Sequence, residues 1–95
     1  MVYLIHFNEA FKHARHYIGF TDDLDARLED HRNGHGARLI AVIRAAGVTW
    51  RCVRTWPGDR KLERKLKNRH NAAQLCPICR AKAAKNNAPG EVNFY

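Results

Sequence analysis

Five side chains of this sequence have types and spacings suited to work on a phosphate ester: Tyr3, Tyr17, Arg27, His31 and Glu63. Arg27 carries a planar fork of donors that matches two phosphate oxygens and keeps its charge at any ordinary pH. A surface arginine paired with Asp23 or Asp30 is its plainer use. His31 follows four residues later, which on a helix puts both side chains on one face. With an ordinary pKa of about 6.5 it could accept a proton from water or a tyrosine, or sit charged at a helix C-terminus. Glu63 offers a carboxylate to a hard divalent cation such as Mg2+, which keeps several waters and needs few protein ligands. The alternative is a solvated pair with Lys67, one turn on.

Tyr3 and Tyr17 fall in segments that read as adjacent strands, so their hydroxyls could share a pocket. A free phenol titrates near about 10, so a tyrosine acting as a base at neutral pH needs a metal or a positive neighbour such as Arg27. Two aromatics filling a small core is the competing reading. Gly19 lets the backbone approach closely after Tyr17, or marks a bulge.

Cys76-Pro77-Ile78-Cys79 is half of a zinc knuckle. A closed tetrahedral site needs two further ligands from Cys52, His70, His35 and the N-terminal histidines. Of these His70 lies six residues before Cys76, so zinc at Cys76, Cys79 and His70, partial or shared between subunits, is weighed against plain thiols. Three cysteines is an odd number, which argues against a secreted disulfide framework and for a reducing, cytoplasmic setting, nucleoid-associated in a bacterium.

The charge balance names the partner class. Seventeen Lys and Arg against nine Asp and Glu give a formal charge of +8, with six neutral histidines, and the pI is near 9.9. Arg60, Lys61, Arg64, Lys65, Lys67, Arg69, Arg80, Lys82 and Lys85 supply salt-sensitive attraction to phosphates, and few acids follow Glu63 to neutralise it. Nucleic acid is the expected partner, ahead of an anionic membrane, because the apolar run Leu39–Ile43 is far too short to span a bilayer. No basic stretch followed by an apolar core opens the sequence, so no secretory signal is expected. The 95 residues, 45% apolar and 27% charged, suit one soluble domain with one modest core.

The elements that must position these residues can be read from patterning. Met1 to Phe7 is rich in β-branched and aromatic types and predicts a buried strand; Asn8 to Arg15 reads as a hairpin loop, and His16 to Phe20 as a second strand. Thr21 and Asp22 are good N-cap types for a helix from about Asp22 to His31, ended by Asn33-Gly34. A second helix is expected over Ala37–Ala46 and closed by Gly47, a third strand over Val48–Trp56, and a third helix from Asp59 to about His70 with Leu62 and Leu66 on its apolar face. Ala72 to Ala84 reads as a short helix around the cysteine pair, and Asn86 to Gly90 as a break. Trp50 and Trp56 could stack on bases, but core packing suits them better. The sum is a small α/β (α+β) domain, a three-stranded antiparallel sheet flanked by helices, with a core over about residues 1–71 and a C-terminal extension over 72–95.

These elements carry a resemblance. Val2-Tyr3-Leu4-Ile5 followed by Tyr17-Ile18-Gly19-Phe20-Thr21 resembles the paired tripeptides of the GIY-YIG nuclease family. Arg27 and His31 lie where the family's helix carries such residues, and Leu62-Glu63-Arg64-Lys65-Leu66-Lys67 resembles its later metal-binding helix. Met1 replaces the glycine of the first tripeptide, the loop between the tyrosines is slightly long, and the family's late asparagine matches either Asn68 or Asn71.

The resemblance implies a metal-dependent DNA endonuclease with Glu63 as the single protein ligand of Mg2+ or Mn2+. One tyrosine activates water, Tyr3 being favoured, and the other orients groups or binds phosphate. Arg27 stabilises the pentacovalent phosphorus with His31 assisting, and the products are a 5′-phosphate and a 3′-hydroxyl. Gly19, Arg60, Lys61, Arg64 and Lys67 are the expected nucleic-acid contacts, with DNA ahead of RNA. So small a chain is expected to draw any sequence specificity from a protein partner or a second copy. The rival readings are a basic nucleic-acid-binding module without turnover and a small zinc-stabilised interaction protein.

Overall fold

The structure, a computed structural model, describes residues 1–81. The elements run β1 Val2–Phe11, β2 Ala14–Phe20, α1 Leu24–Arg32, α2 Arg38–Ala45, β3 Trp50–Trp56, α3 Arg60–Asn68 and α4 Ala72–Leu75. Residues 77–81 are helical again. The strands form one antiparallel sheet in the order β2-β1-β3, flanked by helices, as the sequence predicts. Lys82, Lys85 and the break at Asn86 to Gly90 lie outside the described residues.

β1 is the central strand, which explains why its start is a continuous apolar run rather than an alternating one. Val2 through Phe7 are all buried. Successive side chains still point to opposite faces. Tyr3, Ile5 and Phe7 join Ile40, Ile43 and Val48 in one core, to which α1 and α2 add Leu24, Leu28 and Leu39. Val2 and Leu4 join Ile18, Leu66 and Cys76 in a second core on the other face, beneath α3 and α4.

The hairpin differs from the sequence expectation. β1 continues to Phe11 and β2 resumes at Ala14, so the turn is only Lys12-His13, with Lys12 in the left-handed region (φ 57°). Register holds from Val2↔Phe20 to His6↔His16 and then shifts before Phe11↔Ala14. Asn8 to Ala10 are exposed while remaining in the strand. Periodicity reports which side chains are covered, not which backbones are paired, and so it mistakes an exposed strand end for a loop.

α1 and α3 begin with side-chain caps for the orphan N–H groups of their first turns, whereas α2 and α4 have none. Asp23, not Asp22, caps α1, its Oδ1 accepting from the Ala26 N–H at 3.1 Å, while the Thr21 hydroxyl accepts from the Asp23 N–H. Asp59 caps α3 by accepting from Lys61 at 3.0 Å and Leu62 at 3.3 Å. α1 and α2 end at Gly34 and Gly47, both left-handed (φ 80° and 81°). α4 is shorter than expected because Cys76 adopts an extended conformation ahead of Pro77, as a residue before proline prefers.

Because Asp59 starts the helix that carries Glu63, its cap can be tested separately from the chemistry. Asp59→Ala is expected to lower unfolding stability by about 1 kcal/mol, read as a reduced urea midpoint with an unchanged slope.

Candidate active site

The two tyrosines are brought together by strand register and by an absent side chain. Tyr3 pairs across the sheet with Gly19, and Ile5 with Tyr17. The Tyr3 ring lies over Gly19, where an added Cβ would come within 2.5 Å of Tyr3 Cζ and Oη and 2.9 Å of Tyr17 Cε1. Gly19 is therefore a seat for the Tyr3 ring. The ring centroids of Tyr3 and Tyr17 are 6.1 Å apart.

α1 supplies the next two groups. His31 is the one fully buried residue of that helix. Its Nδ1 accepts the Ala37 N–H at 3.2 Å, so the proton of the neutral ring is assigned to Nε2, which donates to Tyr3 Oη at 2.8 Å. In this arrangement His31 gives a hydrogen bond to the phenol rather than taking its proton. Gly36 backs the ring so closely that an added Cβ would collide with His31 Nδ1. Trp50 meets the imidazole edge-on at 6.0 Å between centroids, and so packs in the core behind the site. Burial, and then the Arg27 charge, push the His31 pKa down, with Asp30 acting in the opposite sense.

Arg27 lies one turn before His31, where its guanidinium stands beside Tyr3 and Tyr17, which hold its charge more firmly. It forms no ion pair among the described residues, so Asp23 and Asp30 are not its partners. Its Nε is buried and has no hydrogen-bond partner. Burial pushes the Tyr3 pKa up to about 12 even though Arg27 works against the shift. The Tyr3 hydroxyl accepts from His31 and stands beside Tyr17.

Glu63 approaches from the other side of the sheet edge. α3 packs on β2, which is an edge strand. The Glu63 side chain is only 15% exposed; its Oε2 pairs with Lys67 Nζ at 3.2 Å, while Oε1 has only the exposed Arg60 at 4.0 Å. Lys67 Nζ lies 5.7 Å from the Tyr17 ring centroid and Arg60 Cζ 5.1 Å from that of Phe20. The carboxylate thus joins the tyrosine cluster through Lys67. A single largely covered carboxylate with one lightly engaged oxygen fits Mg2+ or Mn2+, which bind through few protein ligands and keep their waters. Lys61 and Arg64 point elsewhere, into a shallow depression on the outer face of α3 with Lys65, Asn68 and Arg69. Of the two candidate asparagines, Asn68 is exposed, whereas Asn71 is half-buried with its Oδ1 unpartnered.

The metal-ligand reading of His70 is corrected. His70 is exposed at the end of α3 in a left-handed conformation (φ 51°) and does not join the cysteines. Cys76 and Cys79 are met instead by His6 and His16, from the face of the sheet opposite Tyr3. Their proximity depends on hairpin register, which spacing along the chain does not report. Gly36 was equally hidden: in sequence it only precedes a helix.

Two strand tyrosines and an arginine and a histidine one turn apart gather on one face of the sheet, and a carboxylate on a later helix reaches its edge. The chain belongs to the GIY-YIG family: the family model of the GIY-YIG catalytic domain matches residues 1–75 of the 95. That family consists of metal-dependent nucleases. No curated protein and no solved structure matches the chain. Among the described residues no helix is long and apolar enough to cross a membrane.

Two outcomes follow from this packing. Gly19→Ala forces the Tyr3 ring from its seat and should cost about 1–3 kcal/mol, measured by chemical denaturation. For His31, a folded pKa below the unfolded value of about 6.5 means that the unfolded chain binds more protons below that pH. Its contribution is present above about pH 6.5 and falls away as the pH drops towards the folded pKa. His31→Gln should therefore flatten the acid limb of a stability-versus-pH curve, and an unchanged slope would refute the neutral buried ring.

Proposed function

We propose that the domain is a DNA endonuclease hydrolysing phosphodiester bonds with a single divalent ion at Glu63. The observation that carries the reading is Arg27, whose buried Nε lacks a partner while its guanidinium lies beside two tyrosine hydroxyls. A phosphate oxygen is the acceptor such a donor set suits. The charge of +8 and the basic outer face of α3 support a polyanionic substrate.

Mg2+ or Mn2+ bound by Glu63 would supply charge neutralisation and a more acidic water. Lys67 holds Glu63 Oε2, leaving Oε1 as the ligand atom. Arg27 presents its fork to the phosphoryl oxygens and stabilises the charge that builds on them. His31 Nε2–H donates to Tyr3 Oη, and the Tyr3 and Tyr17 rings lie side by side, their centroids 6.1 Å apart. Tyr3 is fully buried and holds its proton, whereas Tyr17 is partly exposed at the sheet edge. Tyr17 is therefore the tyrosine assigned to the attacking water, and Tyr3 positions it. The products are a 5′-phosphate and a 3′-hydroxyl.

Nicking of supercoiled plasmid with Mg2+ or Mn2+, against EDTA, tests the reading. Glu63→Ala should abolish cleavage. Arg27→Lys should slow it by roughly 10²–10³-fold, and Tyr17→Phe by roughly 10²–10⁴-fold, more than Tyr3→Phe does. A larger loss in Tyr3→Phe would reverse the roles of the tyrosines. Equal DNA binding by the wild type and Glu63→Ala, with neither cutting plasmid, branched DNA or RNA, would sink the enzyme reading and favour a binding module.

A further inference from the structure

We propose that His6, His16, Cys76 and Cys79 form a closed, four-ligand structural zinc site on the sheet face opposite the tyrosine cluster. The family match ends at Leu75, so half of the ligand set lies just beyond it. The four ligand atoms all lie within 4.8 Å of one another. His6 Nδ1 is 3.4 Å from Cys76 Sγ, 3.7 Å from Cys79 Sγ and 3.4 Å from His16 Nε2, and His16 Nε2 is 3.4 Å from Cys79 Sγ. Zinc bonds of about 2.0–2.1 Å to nitrogen and 2.3 Å to sulfur, set tetrahedrally, place ligand atoms about 3.3–3.8 Å apart. These four separations match edges of that tetrahedron, and the other two pairs, Cys76–His16 and Cys76–Cys79, lie within 4.8 Å.

Hydrogen bonding accounts poorly for the same arrangement. One imidazole Nδ1 either donates one proton or accepts, yet His6 Nδ1 faces three polar atoms at nearly equal distance. Convergence of several atoms on a common centre is what a cation requires. Two thiolates and two neutral imidazoles make a borderline-soft set suited to zinc rather than to Mg2+, and their charges cancel those of the ion in a buried place. Histidine and cysteine atoms interleave too closely for a two-iron cluster. With four protein ligands no position is left for substrate, so the role is structural.

The fold explains what the site holds. His6 and His16 are cross-strand partners on β1 and β2, both on the face that also carries Leu4 and Ile18. Cys76 follows α4, a helix of only four residues whose Leu75 carbonyl accepts from Arg54 Nη1 at 3.1 Å. So short a helix has little stability of its own. Zinc would pin it and the turn after it to the hairpin. The pinned segment forms one wall of a cleft beside β2, lined by His16, Cys79, Ala73, Lys67 and Tyr17, so the staple shapes the approach to the proposed water-side tyrosine.

The test uses the full, reduced chain, with metal content measured by mass spectrometry and cobalt substituted for zinc as a spectroscopic probe. One zinc per chain is expected, with a visible tetrahedral cobalt–thiolate band, protection of Cys76 and Cys79 from a thiol reagent, and a fall in melting temperature on chelation. His16→Asn and Cys79→Ser should weaken zinc binding by more than the roughly 10- to 100-fold typical of outer-shell changes, whereas His70→Ala and Glu63→Ala should leave it unchanged. If the ligand variants fail to fold, the cobalt spectrum and thiol protection of the unsubstituted chain still decide. No uptake of zinc by reduced protein, an octahedral cobalt spectrum, or zinc loss in His70→Ala would overturn the proposal. The Glu63→Ala arm separates failure of this site from failure of the nuclease reading.

Discussion

β1 is covered on both faces, and that double burial sets everything else in the molecule. A central strand must place alternate side chains in two separate environments. Tyr3, Ile5 and Phe7 enter the core beneath α1 and α2, while Val2, Leu4 and His6 enter the one beneath α3 and α4. The same alternation sends Tyr17 to the first face and His16 to the second. Neighbouring residues of one strand therefore belong to two clusters, one of tyrosine, arginine and histidine and one of histidine and cysteine, separated by the thickness of a sheet.

The cluster around Tyr3 is a buried polar network, which is stable only if its members satisfy one another. His31 meets this condition on both ring nitrogens, through the Ala37 N–H and Tyr3 Oη. The packing that closes it depends on two places without side chains, Gly19 under Tyr3 and Gly36 behind His31. Arg27 alone keeps an unused donor, Nε. Glu63 shows the complementary condition, a carboxylate flanked by Lys67 and Arg60 at the edge of β2 with one oxygen lightly held.

Much of this was legible in residue types. The apolar run of Val2 to Phe7, the capping aspartates, the Gly34 and Gly47 stops and the four-residue spacing of Arg27 and His31 report local constraints, and local constraints act through neighbours in the chain. The order of these landmarks was enough to point to the family that residues 1–75 match. The exposed end of β1 reads as a loop because Asn8 and Glu9 are polar and Ala10 is uncovered, although their backbone stays in the strand.

Sequence by itself determined the elements, the charge, and which side chains have the chemistry for phosphate and for metal. Only the tertiary structure decided which of them meet. Tyr3 faces Gly19, and His6 faces His16, because the two-residue turn at Lys12-His13 and the shift beyond His6 set one register. His70, near the cysteines in sequence, is turned outward, while His6, seventy residues before Cys76, lies 3.4 Å from its sulfur. His31 is a donor rather than a proton acceptor because a backbone N–H six residues later occupies its other nitrogen. Distance along the chain carries no information about such contacts, since strand pairing and helix packing close loops of any length at little extra entropic cost.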